Sequence, residues 1–336
     1  MVKKYQNLLI LFASLVILFA SCKKSEDACE LDTKILNSLE DLSITRLEDN
    51  FYTASTKEEF LFLFEEYADF TNDYLQIALY DSKENLADEL LAINQDTLMQ
   101  ELYSEVKKNY TDVNQLEIDL NNAFAYIKYY FPDFKIPKVY TFLSGFSNDL
   151  YISDDMIVIG LDYFLPKEHR FQPEELPRYI ADRYERDYIV PMIVTAISSK
   201  YNKVDPNQNS LLAEMIFYGK AYHFTKAILP CTPDDFIIGY TSEEVASCFA
   251  NEKFIWSHFI ENDLLYITNP FEIRQYTGEA PATDVVSPDA PGRIGRWLGW
   301  NIVDDYRINQ EVPLDVLMEN QDAELIFRQS GYKPRQ

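Results

Sequence analysis

Residues 211–224 read LLAEMIFYGKAYHF, and no other stretch of this 336-residue chain restricts its fold as strongly. Leu211, Leu212, Met215, Ile216, Phe217, Tyr218, Ala221, Tyr222 and Phe224 follow helical spacing, yet they cover every side of the helix rather than one stripe. A helix that is apolar all round is a buried helix. The chain must therefore pack other elements around it, which calls for a large, mainly helical core. Glu214 and Lys220 lie on the same helix. Both are expected to be partly buried and to need partners, because an unpaired buried charge is costly.

A second segment is unusual, APGRIGRWLGWNIVDDY at residues 290–306. Gly292, Gly295 and Gly299 occur at helix-compatible spacing, although glycine costs about 1 kcal/mol at an interior helix position. Gly295 and Gly299 form a small-xxx-small face, and close approach of another backbone is the expected return. Arg293 and Arg296 project nearby and are natural mates for a buried glutamate. Packing explains this segment better than a ligand site does.

Around these two segments the pattern is mostly helical. Thr56 and Glu59 make a capping box that opens a helix over 57–70. Helices are predicted at 97–109, and from a second box at Asp112 and Gln115 up to Pro132. KVYTFLS (138–144) and MIVIGL (156–161) are β-branched or aromatic runs, separated by turn chemistry at Gly145–Asp149. They read as strands of a small sheet and suggest a hairpin. Helices resume at 174–184, 191–201, 210–229 and 242–263, the last opened by a box at Thr241 and Glu244. A proline-rich loop spans 277–291, and helices follow at 292–306 and 314–330. The fold class is therefore α+β, mainly α-helical, as a single domain (35–336) with a small central sheet.

The start of the chain fixes its address. Lys3 and Lys4 precede an apolar run over 8–19, and small residues stand directly before Cys22. Residues 1–21 form a secretory signal, and Leu18-Phe19-Ala20-Ser21-Cys22 resembles a bacterial lipobox with Cys22 as the lipidated residue. The apolar run is shorter than the ~20 residues of a membrane-spanning helix. Residues 22–34 then carry the lipidated cysteine and a charged tether. The expected location is the cell envelope, anchored by acyl chains (palmitate among them) to the outer membrane or facing the periplasm. Hydrophobic residues make up 47% of the chain and aromatics 15%, which excludes a disordered tether. With 30 basic and 55 acidic residues the net charge is −25, so nucleic acid is not a partner. Beyond Cys22, only Cys29, Cys231 and Cys248 remain, and a Cys231–Cys248 bridge is one option in an oxidising periplasm.

Catalytic motifs are missing. There is no G-x-S-x-G, no P-loop and no G-x-G-x-x-G. His169, His223 and His258 are the only histidines, and none has another three or four residues away. His223 and His258 could meet in space with Glu214 or Glu252, but isolated histidines are the better reading. Zinc sites take three or four side-chain ligands, so neither metal nor cofactor is expected.

Several phrases nevertheless carry a resemblance. IKYYFPDFKIPKV (127–139), IVIGLDYFL (157–165), LLAEMIFYGKA (211–221), IGYTSEEV (238–245), NEKFIW (251–256), SPDAPGRIGRWLGWNIV (287–303) and the terminal GYKP (331–334) resemble, in order, the GldB family of gliding-motility lipoproteins. The resemblance implies an envelope lipoprotein associated with gliding, protein secretion and surface-adhesin movement, with no established chemistry. More distantly the chain is similar to zinc metalloproteases with H-E-x-x-H on a buried helix. By that resemblance Glu214 stands in the place of the catalytic glutamate, Ala213 and Phe217 in the two histidine places, and Glu252 in that of the third ligand. This implies a zincin-like helix scaffold lacking its metal site, a pseudoenzyme.

The expected function is a non-catalytic, lipid-anchored structural or protein-binding element of a gliding or secretion apparatus, with other envelope proteins as partners. A divergent peptidase or cell-surface hydrolase is one alternative, and a glycan-binding surface lipoprotein is another. Glu214, Glu252, Arg293 and Arg296 are the candidate residues of a vestigial site. Pairing of at least one of these arginines with Glu214 or Glu252, in place of a metal charge, is the specific expectation.

Overall fold

The computed structural model describes residues 29–36 and 42–335. The signal peptide and Cys22 lie outside the described residues. From Thr33 onward the chain forms one compact, mainly helical unit with a four-stranded sheet.

The sheet consists of β1 (Ile44–Arg46), β2 (Lys138–Phe142), β3 (Leu150–Ile152) and β4 (Met156–Gly160), in the order β1-β2-β4-β3. The two predicted strands are neighbours, but they run parallel rather than as a hairpin, with Lys138 opposite Met156 and Phe142 opposite Gly160. Directly after the segment read as a turn comes β3, which was not expected and pairs antiparallel with the far side of β4. Strand β4 is buried at all five positions, and an unbroken apolar run suits a central strand covered on both faces. The turn itself is held by Asp162, which accepts hydrogen bonds from the backbone N–H of Ser144 (3.0 Å) and Phe146 (2.6 Å). Gly145 and Phe146 are both left-handed there, at φ 66° and 61°. Burial raises the Asp162 carboxyl above its usual range, against the pull of those N–H groups.

Against the sheet lies an aromatic cluster. Phe51 sits within 5.4–6.4 Å (ring centroids) of Phe60, Phe64, Phe70 and Phe142. Glu48 is fully buried and accepts from Thr141 Oγ1 (2.7 Å) and Arg46 Nε (2.7 Å), so one carboxylate joins the ends of β1 and β2. Its pKa is raised by burial, partly opposed by Arg46 and Thr141.

Helix boundaries follow local chemistry where that chemistry is strong. Both capping boxes close, at Thr56–Glu59 and at Thr241–Glu244. The one expected at Asp112 and Gln115 does not. Asp112 accepts from Asn114 N–H, Gln115 turns to Asp119, and the helix runs Asn114–Tyr130. Three long predictions break into pieces. The 174–184 helix shrinks to Arg178–Ala181 behind Pro177. The 242–263 helix divides at Asn251, whose side-chain amide donates to Ser247 O, a local bond that competes with the helix ladder. The 314–330 helix divides before Asp322, which caps a new helix through Leu325 N–H.

The centre of the unit is the helix Leu211–Ile228, with eleven buried residues. It packs most closely on Ile294–Gln310, the glycine helix. A Cβ at Gly299 would lie 2.0 Å from Met215 O, and one at Gly219 would lie 2.4 Å from Gly299 O, so the two backbones touch. Gly292 lies outside the helix, and a Cβ there would meet Ala280 O at 1.8 Å. Cys248 is a buried free thiol, pushed up to about 12 mainly by burial, whereas Cys231 is disulfide-bonded. The bridge between Cys231 and Cys248 is therefore not formed.

Candidate functional site

A cleft of about 720 Å³ opens over the first turns of the central helix, lined by Ala213, Glu214, Phe217, Tyr218, Thr277 and Arg296 among others. Ser210 starts the helix by accepting a hydrogen bond from Ala213 N–H at 3.2 Å. Glu214 follows in the first turn, where the positive end of the helix favours a carboxylate. It is half-buried and lies on the cleft wall. Thr277, fully buried at the end of the Pro270–Thr277 helix, donates its hydroxyl to Glu214 Oε1 at 2.6 Å. One carboxylate oxygen is thereby fixed.

The arginines behind this wall go elsewhere. Arg296 donates from Nε to Thr277 O (2.5 Å), meets Glu279 Oε1 with Nη1 (3.2 Å) and lies 4.0 Å over the Tyr218 ring. Arg293, left-handed at φ 65° and 4% exposed, donates to Ile238 O and Gly239 O and approaches Glu279 Oε2 at 3.5 Å. Arg183 reaches the same carboxylate at 3.0 Å. Burial alone would raise the Glu279 pKa, but Arg293, Arg183 and Arg296 together outweigh it and hold the group below its usual range. The expected pairing of Arg293 or Arg296 with Glu214 or Glu252 is thus corrected: both arginines pair with Glu279. Its position in the 277–291 loop, immediately after the Pro270–Thr277 helix, brings it against them.

Glu252 belongs to a different place. It is 1% exposed at the start of the Glu252–Glu261 helix, and it does not line the cleft. Tyr332 donates its hydroxyl to Oε1 (2.7 Å) and Arg335 its backbone N–H to Oε2 (2.9 Å), so the carboxylate fastens the C-terminal tail. The histidines also stand apart. His223 Nδ1 meets Asp304 Oδ1 at 2.5 Å, His169 meets Glu105 at 3.4 Å, and His258 lies against the rings of Phe259 and Tyr276. Among the described residues no three His, Cys, Asp or Glu side chains are grouped as a metal ion requires.

Lys220, at the back of the cleft and 1% exposed, donates from Nζ to Lys203 O (2.8 Å), Met318 O (3.1 Å) and Asn320 O (2.8 Å). Burial pushes it down to about 8, so it is still an ammonium at neutral pH. Its place in the helix marked it as buried, but no local signal names the three carbonyls. Thr277 and Glu279 were missed altogether. The one legible clue was Asn269-Pro270, an N-cap followed by proline at the first helical position, which does start the helix that delivers Thr277.

Fold and cleft together define a class: a mainly helical domain with an oriented carboxylate on its central helix and, among the described residues, no cluster of metal-binding side chains. The chain belongs to the family of the gliding motility protein GldB, whose family model matches residues 28–334. Membership makes it a gliding-motility-related lipoprotein of the cell envelope. Among the described residues no helix is long and apolar enough to cross a membrane. No curated protein and no solved structure matches the chain.

Proposed function

We propose that this chain is a non-catalytic, protein-binding component of a gliding or secretion apparatus, held in the envelope by a lipid on Cys22. The observation that carries the reading is the chemistry around Glu214. A zinc hydrolase needs its ligand set before a glutamate has an activated water to work on. Here Ala213 and Phe217 occupy the neighbouring positions, Glu252 is taken up by the C-terminal tail, and the histidines lie in three separate settings. Glu214 is left as an oriented carboxylate in a cleft, which suits recognition rather than hydrolysis.

Two results follow from the proposal. The purified lipoprotein should contain far less than one zinc per chain by elemental analysis, and chelators should leave its melting temperature unchanged. Stoichiometric tightly bound zinc would instead favour the peptidase alternative. Separately, Cys22→Ala should abolish labelling by a clickable fatty acid and release the protein from the membrane fraction or leave it unprocessed. Undiminished labelling of the variant would remove Cys22 as the anchor.

A further inference from the structure

We propose that the cleft over Glu214 binds a primary ammonium group of a partner polypeptide, either a lysine side chain or a free N-terminus. The proposal gives the protein-binding role above its ligand chemistry and rests on that role. The cleft, at about 720 Å³, lies within the range of pockets that enclose a substantial ligand, roughly 300–1,000 Å³, and is far larger than a lone ion needs. Its most directed anionic group is Glu214. Thr277 fixes Oε1 of that carboxylate at 2.6 Å, and no hydrogen bond or ion pair among the described residues takes Oε2.

The buried cations around the cleft are committed elsewhere. Arg296 and Arg293 are bound to Glu279 and to backbone carbonyls, and Lys220 is bound by three carbonyl oxygens. Arg274 and Lys203 stand exposed at the rim, where water and salt screen them. The neutralising charge must therefore come from the ligand.

Geometry then selects among cations. A metal ion takes several ligands, and among the described residues no three His, Cys, Asp or Glu side chains are grouped to supply them. A guanidinium binds best as a fork across two oxygens, whereas an ammonium is a compact point charge that one oxygen can hold. Tyr218, half-buried one turn along the helix from Glu214, also lines the cleft. The net charge of −25 adds attraction for a basic partner, chiefly through the rate of encounter.

The test uses the full mature lipoprotein in detergent and four forms of one hexapeptide. The peptide is built of glycine, alanine and phenylalanine around a single lysine, with a fluorophore at its C-terminus. Its N-terminus and its lysine are each free or acetylated, and binding is read by fluorescence anisotropy. The doubly acetylated form should bind more weakly than the free form by about tenfold or more, as expected for loss of a charge-assisted hydrogen bond. The singly acetylated forms show which ammonium is used. Glu214→Gln, which can still accept from Thr277, should cause a similar loss for the active peptide while keeping the wild-type melting temperature. Equal binding of free and doubly acetylated peptides on the wild-type protein would overturn the inference without recourse to any variant. Undiminished binding by Glu214→Gln, or no binding of any form, would also overturn it. Cleavage of the peptides, seen by mass spectrometry, would instead overturn the non-catalytic reading.

Discussion

Gly299→Ala is expected to destabilise the domain severely, by about 3 kcal/mol or more, the upper range for forcing an extra methyl into a packed core. The added Cβ would fall 2.0 Å from Met215 O and 2.5 Å from Met215 C. Both atoms are backbone of the buried central helix, so no side chain can swing aside. The two helices would have to separate, and they form the most extensive helix pair in the unit. Against a total stability of roughly 5–15 kcal/mol for a domain, such a loss reduces the folded fraction at growth temperature. Gly295→Ala is the control. Its nearest contact is 3.1 Å, to Tyr276 O, and alanine is intrinsically better than glycine in a helix by about 1 kcal/mol. Its net effect should be small. Urea denaturation of both variants decides the matter, and a Gly299→Ala protein within about 1 kcal/mol of wild type would show that the helices part more cheaply than close packing implies.

The second large effect concerns Lys220. Lys220→Met keeps much of the volume and removes the charge, which relieves the cost of burying an ammonium. It also strips a partner from Lys203 O and Asn320 O, while Met318 O keeps the N–H of Lys203 at 2.9 Å. Two orphaned carbonyls at about 1–3 kcal/mol each outweigh the relief, and a net loss of about 2 kcal/mol is expected. The pH dependence gives a second readout. The folded lysine titrates at about 8, whereas an unfolded lysine holds its proton to about 10.4. Between these values the unfolded chain binds more protons, so the wild-type protein gains stability as pH rises from 8. Towards pH 10 the tyrosines intervene in the opposite sense, since burial raises Tyr110 and Tyr332 above their ordinary range and favours their neutral form in the folded state. Over pH 8–9.5, a window set by the ordinary tyrosine value of about 10, the gap between wild type and Lys220→Met should widen. A constant gap would mean that Lys220 is not the titrating group.

The sequence was a good guide wherever the deciding interaction lies within a few residues along the chain. Thr56 and Glu59, like Thr241 and Glu244, form their capping boxes because donor and acceptor are three residues apart. The apolar surface around residues 211–224 called for burial on all sides, and eleven of the eighteen residues of the central helix are buried, while Phe217 and Tyr218 are half-buried on the cleft wall. The absence of a histidine pair at helical spacing was equally plain in the chain.

What remained hidden depends on elements distant in sequence. MIVIG announces a buried strand, but its parallel neighbour and the small antiparallel strand at its far edge follow from how the intervening segment folds back. Arg293 and Arg296 advertise a need for a carboxylate, yet 55 acidic residues are available and only the packed loop selects Glu279. Glu252 reads as a companion to Glu214, but the tertiary structure gives it to Tyr332 and Arg335, eighty and more residues away. Composition and periodicity thus determined which residues must be buried. Which buried charge meets which partner was decided only by the docking of loops and tails, because hydrogen bonds and ion pairs act over a few ångströms and the chain carries no local record of those approaches.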